Sequence, residues 1–170
     1  MTTGRLFIDY SIRKLRQYEE RIGECLSRLS EEQVWDRTNE ESNAVGNLVL
    51  HLSGNVRQWI GSGVAGRADE RKRDAEFAAR GEVGIAELRE KLRQVIAEAT
   101  GDLEGLGESE LLEKMTVQSY TLTKLEGIYH VVEHFSGHAN QIALLTKAYT
   151  NRALGFYTFI GTQGHGEKTP

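Results

Sequence analysis

Three of the five histidines in this 170-residue chain, His130, His134 and His138, recur at intervals of four within GIYHVVEHFSGHANQIALLTK (127–147). In a helix that spacing stacks them on one side, each a turn above the last. Val131, Ile142 and Leu145 share that side, so the stripe is expected to face a core. Imidazoles in an apolar interior need partners, because an unpaired buried polar group is costly. A divalent metal is one such partner, and an i,i+4 pair of imidazoles is a common way to hold it. Hydrogen bonds to backbone or water are the plainer alternative. His130 and His138 lie about 12 Å apart along the axis at roughly 1.5 Å per residue. At most one adjacent pair can therefore share an ion, and a further ligand must come from another segment.

The elements that would position these residues read as helices. The single proline, Pro170, is the last residue, and long stretches of Leu, Ala, Glu, Lys and Arg predict an all-α chain. From about Arg5 to Leu29, Ile8, Ile12, Leu15, Ile22, Leu26 and Leu29 fall at helical spacing, broken only by Glu19. Ser30 and Gln33 form a capping box for a short helix ending near Trp35, and the polar run 36–43 reads as a loop. Ser42 or Asn43 is expected to cap a second long helix from about Ala44 to Gly61, ended by Gly61, Gly63 and Gly66.

Within that second helix His51 shares a face with Asn47, Leu48, Asn55 and Gln58. A histidine flanked a turn above and below by asparagines is either a ligand or a side chain satisfied by those amides. The charged segment 66–84 reads as a solvated linker in which Arg67, Arg71, Lys72 and Arg73 pair with Asp69, Glu70 and Asp74. Alternatively, those cations meet an anionic substrate. Phe77 would pin the segment to the body or cover a pocket.

A third helix is expected from about Ile85 to Leu103, ended by Gly101, Gly105 and Gly107. Residues 111–123 look extended, and Thr123 caps a fourth long helix over Lys124 to Thr150. Phe156, Tyr157 and Phe159 would cover the bundle end or a partner subunit, and the end of the tail (from about 151 to 170) is expected to be flexible. The whole, residues 1–170, reads as one domain: a four-helix bundle with a long connection between its second and third helices.

Composition narrows the function. Twenty-one basic against 25 acidic residues, a net charge of −4, argue against nucleic acid as a partner. One cysteine, Cys25, excludes an intramolecular disulfide and fits a reducing compartment. The opening MTTGRLFIDYSIRK does not read as a secretory signal, and no apolar run approaches a membrane span. A soluble, cytoplasmic protein with a small-molecule partner is expected, possible as a homodimer.

His51 inside NLVLHLSGNVRQW, followed by HFSGHANQI with its HxxxHxxQI pattern, resembles the DinB-like (YfiT-like) family of metal-dependent helical bundles. The resemblance covers nearly the whole chain. It implies a divalent metal held by one histidine of the second helix and an i,i+4 pair of the fourth. These map onto His51, His134 and His138, because Gln141 and Ile142 follow the last histidine. His130 is left over, and with Asn47, Asn55 and Gln141 it would support or line the site.

Three imidazoles leave open positions on the metal, as a catalytic centre needs. Zinc or nickel is the expected ion, with iron or manganese as further options. Relatives of this kind activate a low-molecular-weight thiol, as bacillithiol and mycothiol transferases and mycothiol-dependent maleylpyruvate isomerase do. The resemblance therefore implies a thiol-dependent S-transferase or a related hydrolase. The alternative is a non-catalytic, metal-stabilised dimer that binds a small molecule, for instance in stress.

Two other metal readings fit less well. HVVEH (130–134) matches the inverted zinc-protease pattern with Glu133 as base, but such enzymes need a downstream acidic ligand and the only later acid is Glu167. A di-iron centre needs a Glu-x-x-His motif, which the sequence lacks.

Overall fold

Four long helices carry the structure, a computed structural model that describes residues 1–158. Helix α1 (Thr3–Leu26) opens on Thr2, whose hydroxyl accepts from the Arg5 amide, and buries Ile8, Ile12, Leu15 and Ile22 along one stripe. It stops three residues before Leu29, which stays buried in the turn. The Ser30–Gln33 capping box then opens α2 (Glu31–Trp35). Helix α3 (Val45–Val56) runs without a break into a π-helical segment, Arg57–Val64. The connection that follows contains a short helix, α4 (Arg73–Ala78), before α5 (Ile85–Glu104). A 3-10 turn (Glu108–Leu112) and an antiparallel hairpin, β1 (Lys114–Val117) and β2 (Tyr120–Thr123), lead into α6 (Lys124–Thr150).

The architecture is all-α with this one small hairpin. α1 packs against α5 and α6, and α3 packs against the same two helices from the other side. Leu15, Leu52, Leu92, Phe135 and Ile142 lie fully inside the core, and Phe135 stacks on Tyr18 with ring centroids 6.2 Å apart. Each such side chain contributes about 1.5–3 kcal/mol by leaving water. α6 begins and ends where its sequence signals fall. Thr123 and Glu126 close a reciprocal capping box, and Asn151 ends the helix in the left-handed region at φ 50°.

The start and end of α3 differ from the sequence expectation. Neither Ser42 nor Asn43 caps it: Ser42 is bonded to Thr38 and Asn39, and the Ala44 amide instead donates to the Asn47 side chain. Gly61 and Gly63 do not end it either, because the chain relaxes into the wider π turn, where Ala65 N–H reaches Ile60 O. Gly63 has a packing reason, since a Cβ there would sit 2.6 Å from Val117 in the hairpin. Gly66, at φ 74°, is the residue that turns the chain. Gly101 lies inside α5, whose end falls at Gly105.

The 66–84 connection is not simply solvated. Arg67 pairs across to Asp102 of α5, and Arg71 is folded inward with only 4% of its side chain exposed. At the far end, Arg28 donates to the carbonyls of Ala153 and Leu154, and Arg21 lies over the rings of Phe156 and Tyr157. Phe159 and the end of the tail lie outside the described residues. Among those described, no helix is long and apolar enough to cross a membrane.

Candidate metal centre

α3 and α6 pack so that His51 faces His134 and His138. The Nε2 atoms of His51 and His134 are 3.1 Å apart, those of His138 and His134 are 3.2 Å apart, and the three ligating nitrogens all lie within 4.8 Å of one another. Tetrahedral zinc with imidazole ligands at ~2.0–2.1 Å sets its nitrogens about 3.3 Å apart. The spacing therefore fits a shared ion.

The outer nitrogens assign the tautomers. His51 Nδ1 lies 3.1 Å from the Glu76 carboxylate, an acceptor, and equally 3.1 Å from Arg71 Nη2, a donor whose shorter 2.8 Å bond goes to that same carboxylate. His138 Nδ1 lies 2.7 Å from Gln141 Oε1. With the Arg71 hydrogen committed to Glu76, both Nδ1 atoms carry the proton and both Nε2 atoms present lone pairs inward. His134 sits between them with its Nδ1 buried and without a partner. If its proton is on Nδ1, three lone pairs converge. If the proton is on Nε2, only one of the two facing lone pairs is satisfied; Nδ1 is buried without a partner in either case. A cation at the centre satisfies all three at once, so the donor set fits a divalent metal.

The electrostatics keep the two α6 rings, His134 and His138, neutral, as ligands must be. Burial, joined by the neighbouring His138, His51 and His130, pushes His134 down to about 3. Burial also lowers His138, against the opposing pull of Gln141. Burial alone would raise the Glu76 carboxyl, but the hydrogen bonds from Arg71 and His51 outweigh it and hold it below the usual carboxylate range.

His130 stands apart from this group. Its ring packs on Trp59 at 4.3 Å and lies 5.7 Å from the His134 ring, and burial lowers its pKa. Asn55 is buried with its Oδ1 unpartnered, as is Trp59 Nε1. Asn47 reaches the connection instead of the histidines: its Nδ2 donates to the carbonyls of Glu76 and Ala79. Phe77 lies against His51, ring centroids 4.8 Å apart. The sequence does not single out Glu76, and it offers Arg71 either to a solvated linker or to an anionic substrate, whereas the structure buries Arg71 on Glu76. One signal pointed there: Gly54, a glycine in mid-helix one turn from His51, where a Cβ would fall 1.9 Å from Glu76 Oε1.

The family model described as "Protein of unknown function (DUF1572)" matches residues 2–159. Among solved structures, a DinB-like protein from Bacillus cereus superposes with TM-score 0.67 at 13% identity, covering 84% of this chain and 90% of that one. The DinB-like protein YjoA from Bacillus subtilis gives TM-score 0.67 at 16% identity, covering 87% and 97%. A histidine-to-alanine mutant of the mycothiol-dependent maleylpyruvate isomerase gives 0.64 at 13%, covering 84% of this chain and 63% of that one. The fold is thus that of DinB-like proteins. No curated protein matches the chain.

Proposed function

We propose that this chain, which belongs to the DUF1572 family of proteins of unknown function, is a metal-dependent enzyme that uses a low-molecular-weight thiol on a small electrophilic substrate. The observation that carries the reading is the convergence of His51, His134 and His138 through Nε2, with two of the three Nδ1 atoms already engaged. Three imidazoles from two helices hold the ion, zinc or nickel by donor type, and leave positions open for a ligand. A divalent cation there lowers the pKa of a thiol or water and supplies a nucleophile at neutral pH. The low pKa of His134 keeps its ring neutral at any physiological pH. Phe77, the π-helical Trp59 and His130 border the site and would exclude water from a bound substrate. A thiol is favoured over water because the same bundle carries a mycothiol-dependent isomerase.

Metal content of the purified protein, wild type beside His51→Ala, tests the first half of the reading. Near-stoichiometric metal that the variant loses is the expected result. Metal absent from both, even after reconstitution with zinc or nickel, overturns it. Consumption of an electrophile by the loaded protein, with and without added thiols, then separates a transferase from a hydrolase. No turnover in either would reduce the histidines to a structural metal site.

A further inference from the structure

The connection between α3 and α5 sends one carboxylate into the bundle, and that carboxylate ends on His51. Glu76 Oε2 lies 3.1 Å from His51 Nδ1, and its side chain is 11% exposed. Arg71 grips both its oxygens, Nε to Oε1 and Nη2 to Oε2, each at 2.8 Å, and its Nη2 lies a longer 3.1 Å from His51 Nδ1. Arg71 Nη1 donates in turn to Gln58 Oε1 at 2.9 Å, and Gln118 at the hairpin turn donates to the same oxygen at 2.7 Å. The backbone around Glu76 is tied down as well. Asn47 Nδ2 holds the Glu76 and Ala79 carbonyls, and Arg37 bridges Phe77 O to Asn47 Oδ1.

We propose that Glu76 is a positioning residue for the trihistidine: it fixes His51 with the proton on Nδ1 so that Nε2 is presented to the metal, and Arg71 holds it there in the space that Gly54 leaves. The alternative is a salt bridge that merely staples the connection. Stability alone is a poor reason for it, since a buried ion pair recovers little beyond its desolvation cost and an apolar pair of similar size serves as well. An apolar pair would leave His51 Nδ1 without an acceptor and free to take the other tautomer. Carboxylate partners of this kind typically change metal affinity by about 10–100-fold.

The proposal rests on the metal reading, and cobalt(II) titration against a competing chelator tests the two separately. Glu76→Ala and Gly54→Ala should weaken cobalt binding by about 10–100-fold, with the visible absorption of bound cobalt unchanged because the three ligands remain. Glu76→Gln keeps an acceptor for His51 and should recover part of the loss. His51→Ala should change the spectrum itself. Wild-type affinity in folded Glu76→Ala, or in Gly54→Ala, would reduce Glu76 to a staple while leaving the metal site intact. Wild-type protein that binds no cobalt would overturn both readings. Should Glu76→Ala fail to fold, Glu76→Gln and Gly54→Ala carry the test.

Discussion

Stripping a ligand from the trihistidine should erase the metal's contribution to thermal stability, whereas removing His130 should not. Metal at 100 times its dissociation constant stabilises the folded state by ~2.7 kcal/mol. Unfolding entropy near 60 °C is ~2.1 cal/mol/K per residue, which for 170 residues is about 0.36 kcal/mol/K. The wild-type melting temperature should therefore rise by about 8 °C on adding zinc. Deleting His51, His134 or His138 costs more than the about 100-fold that an outer partner can cost. Even at 100-fold the metal would stand at its dissociation constant, contributing ~0.4 kcal/mol, or about 1 °C. His130→Ala loses the packing on Trp59 and a ring contact with His134 but no ligand, so its metal-free melting point should drop while its zinc-induced shift stays near the wild-type value. Melts of metal-free protein with and without zinc read all five proteins. A shift abolished in His130→Ala and kept in His138→Ala would refute the register of the site.

Two further outcomes follow from buried groups and close contacts. Burial first and the neighbouring imidazoles next push His134 down to about 3 in the fold, from the ordinary imidazole value of 6.5. Protons therefore favour the unfolded chain, and metal-free stability should fall as pH drops below about 6.5 and level off near 3. Between pH 7 and 5 the loss should be about 1 kcal/mol, half the full linkage value because the ring is only half-buried. Urea midpoints should show it, and His134→Gln should shrink it; an unchanged midpoint would refute the burial. Gly46→Ala places a Cβ 2.7 Å from the Trp35 ring, which is held by its Nε1 bond to Val83 O. It should cost about 1–3 kcal/mol with altered tryptophan fluorescence. Gly101→Ala, with nothing within 4 Å in the body of α5, should instead gain about 0.5–1 kcal/mol. Equal effects in chemical denaturation would contradict both placements.

Much of the bundle was legible because its signals are local and periodic. Thr123, Glu126 and the apolar spacing of α6 set that helix from Lys124 to Thr150, and the Ser30 box set α2. α3 was harder at both ends. Its cap is an asparagine one turn inside, and its expected glycine stop is passed in a π turn, whose hydrogen-bond shift leaves no sequence mark. Within the histidine group, the α6 spacing showed that a pair was available. Which pair, and the partner across the bundle, came from the family pattern, since periodicity alone does not say which helix face meets which.

The support behind His51 was hidden for a different reason. Arg71 and Glu76 stand among Asp69, Glu70, Lys72, Arg73 and Asp74, and in a segment too short for a period nothing separates a buried charge from a solvated one. The trace of that support lies in α3 instead. Asn47, His51, Gly54 and Gln58 fall at i, i+4, i+7 and i+11, one continuous stripe of the helix, and every one of them touches the connection. A stripe at core spacing that carries two amides, an imidazole and a glycine cannot bury itself against an apolar neighbour. Gly in a helix interior costs about 1 kcal/mol relative to Ala, which the closeness of Glu76 offsets only if that contact is worth having. The polarity of the stripe demanded a polar strand of chain across it, and the nearest one in sequence was the charged connection.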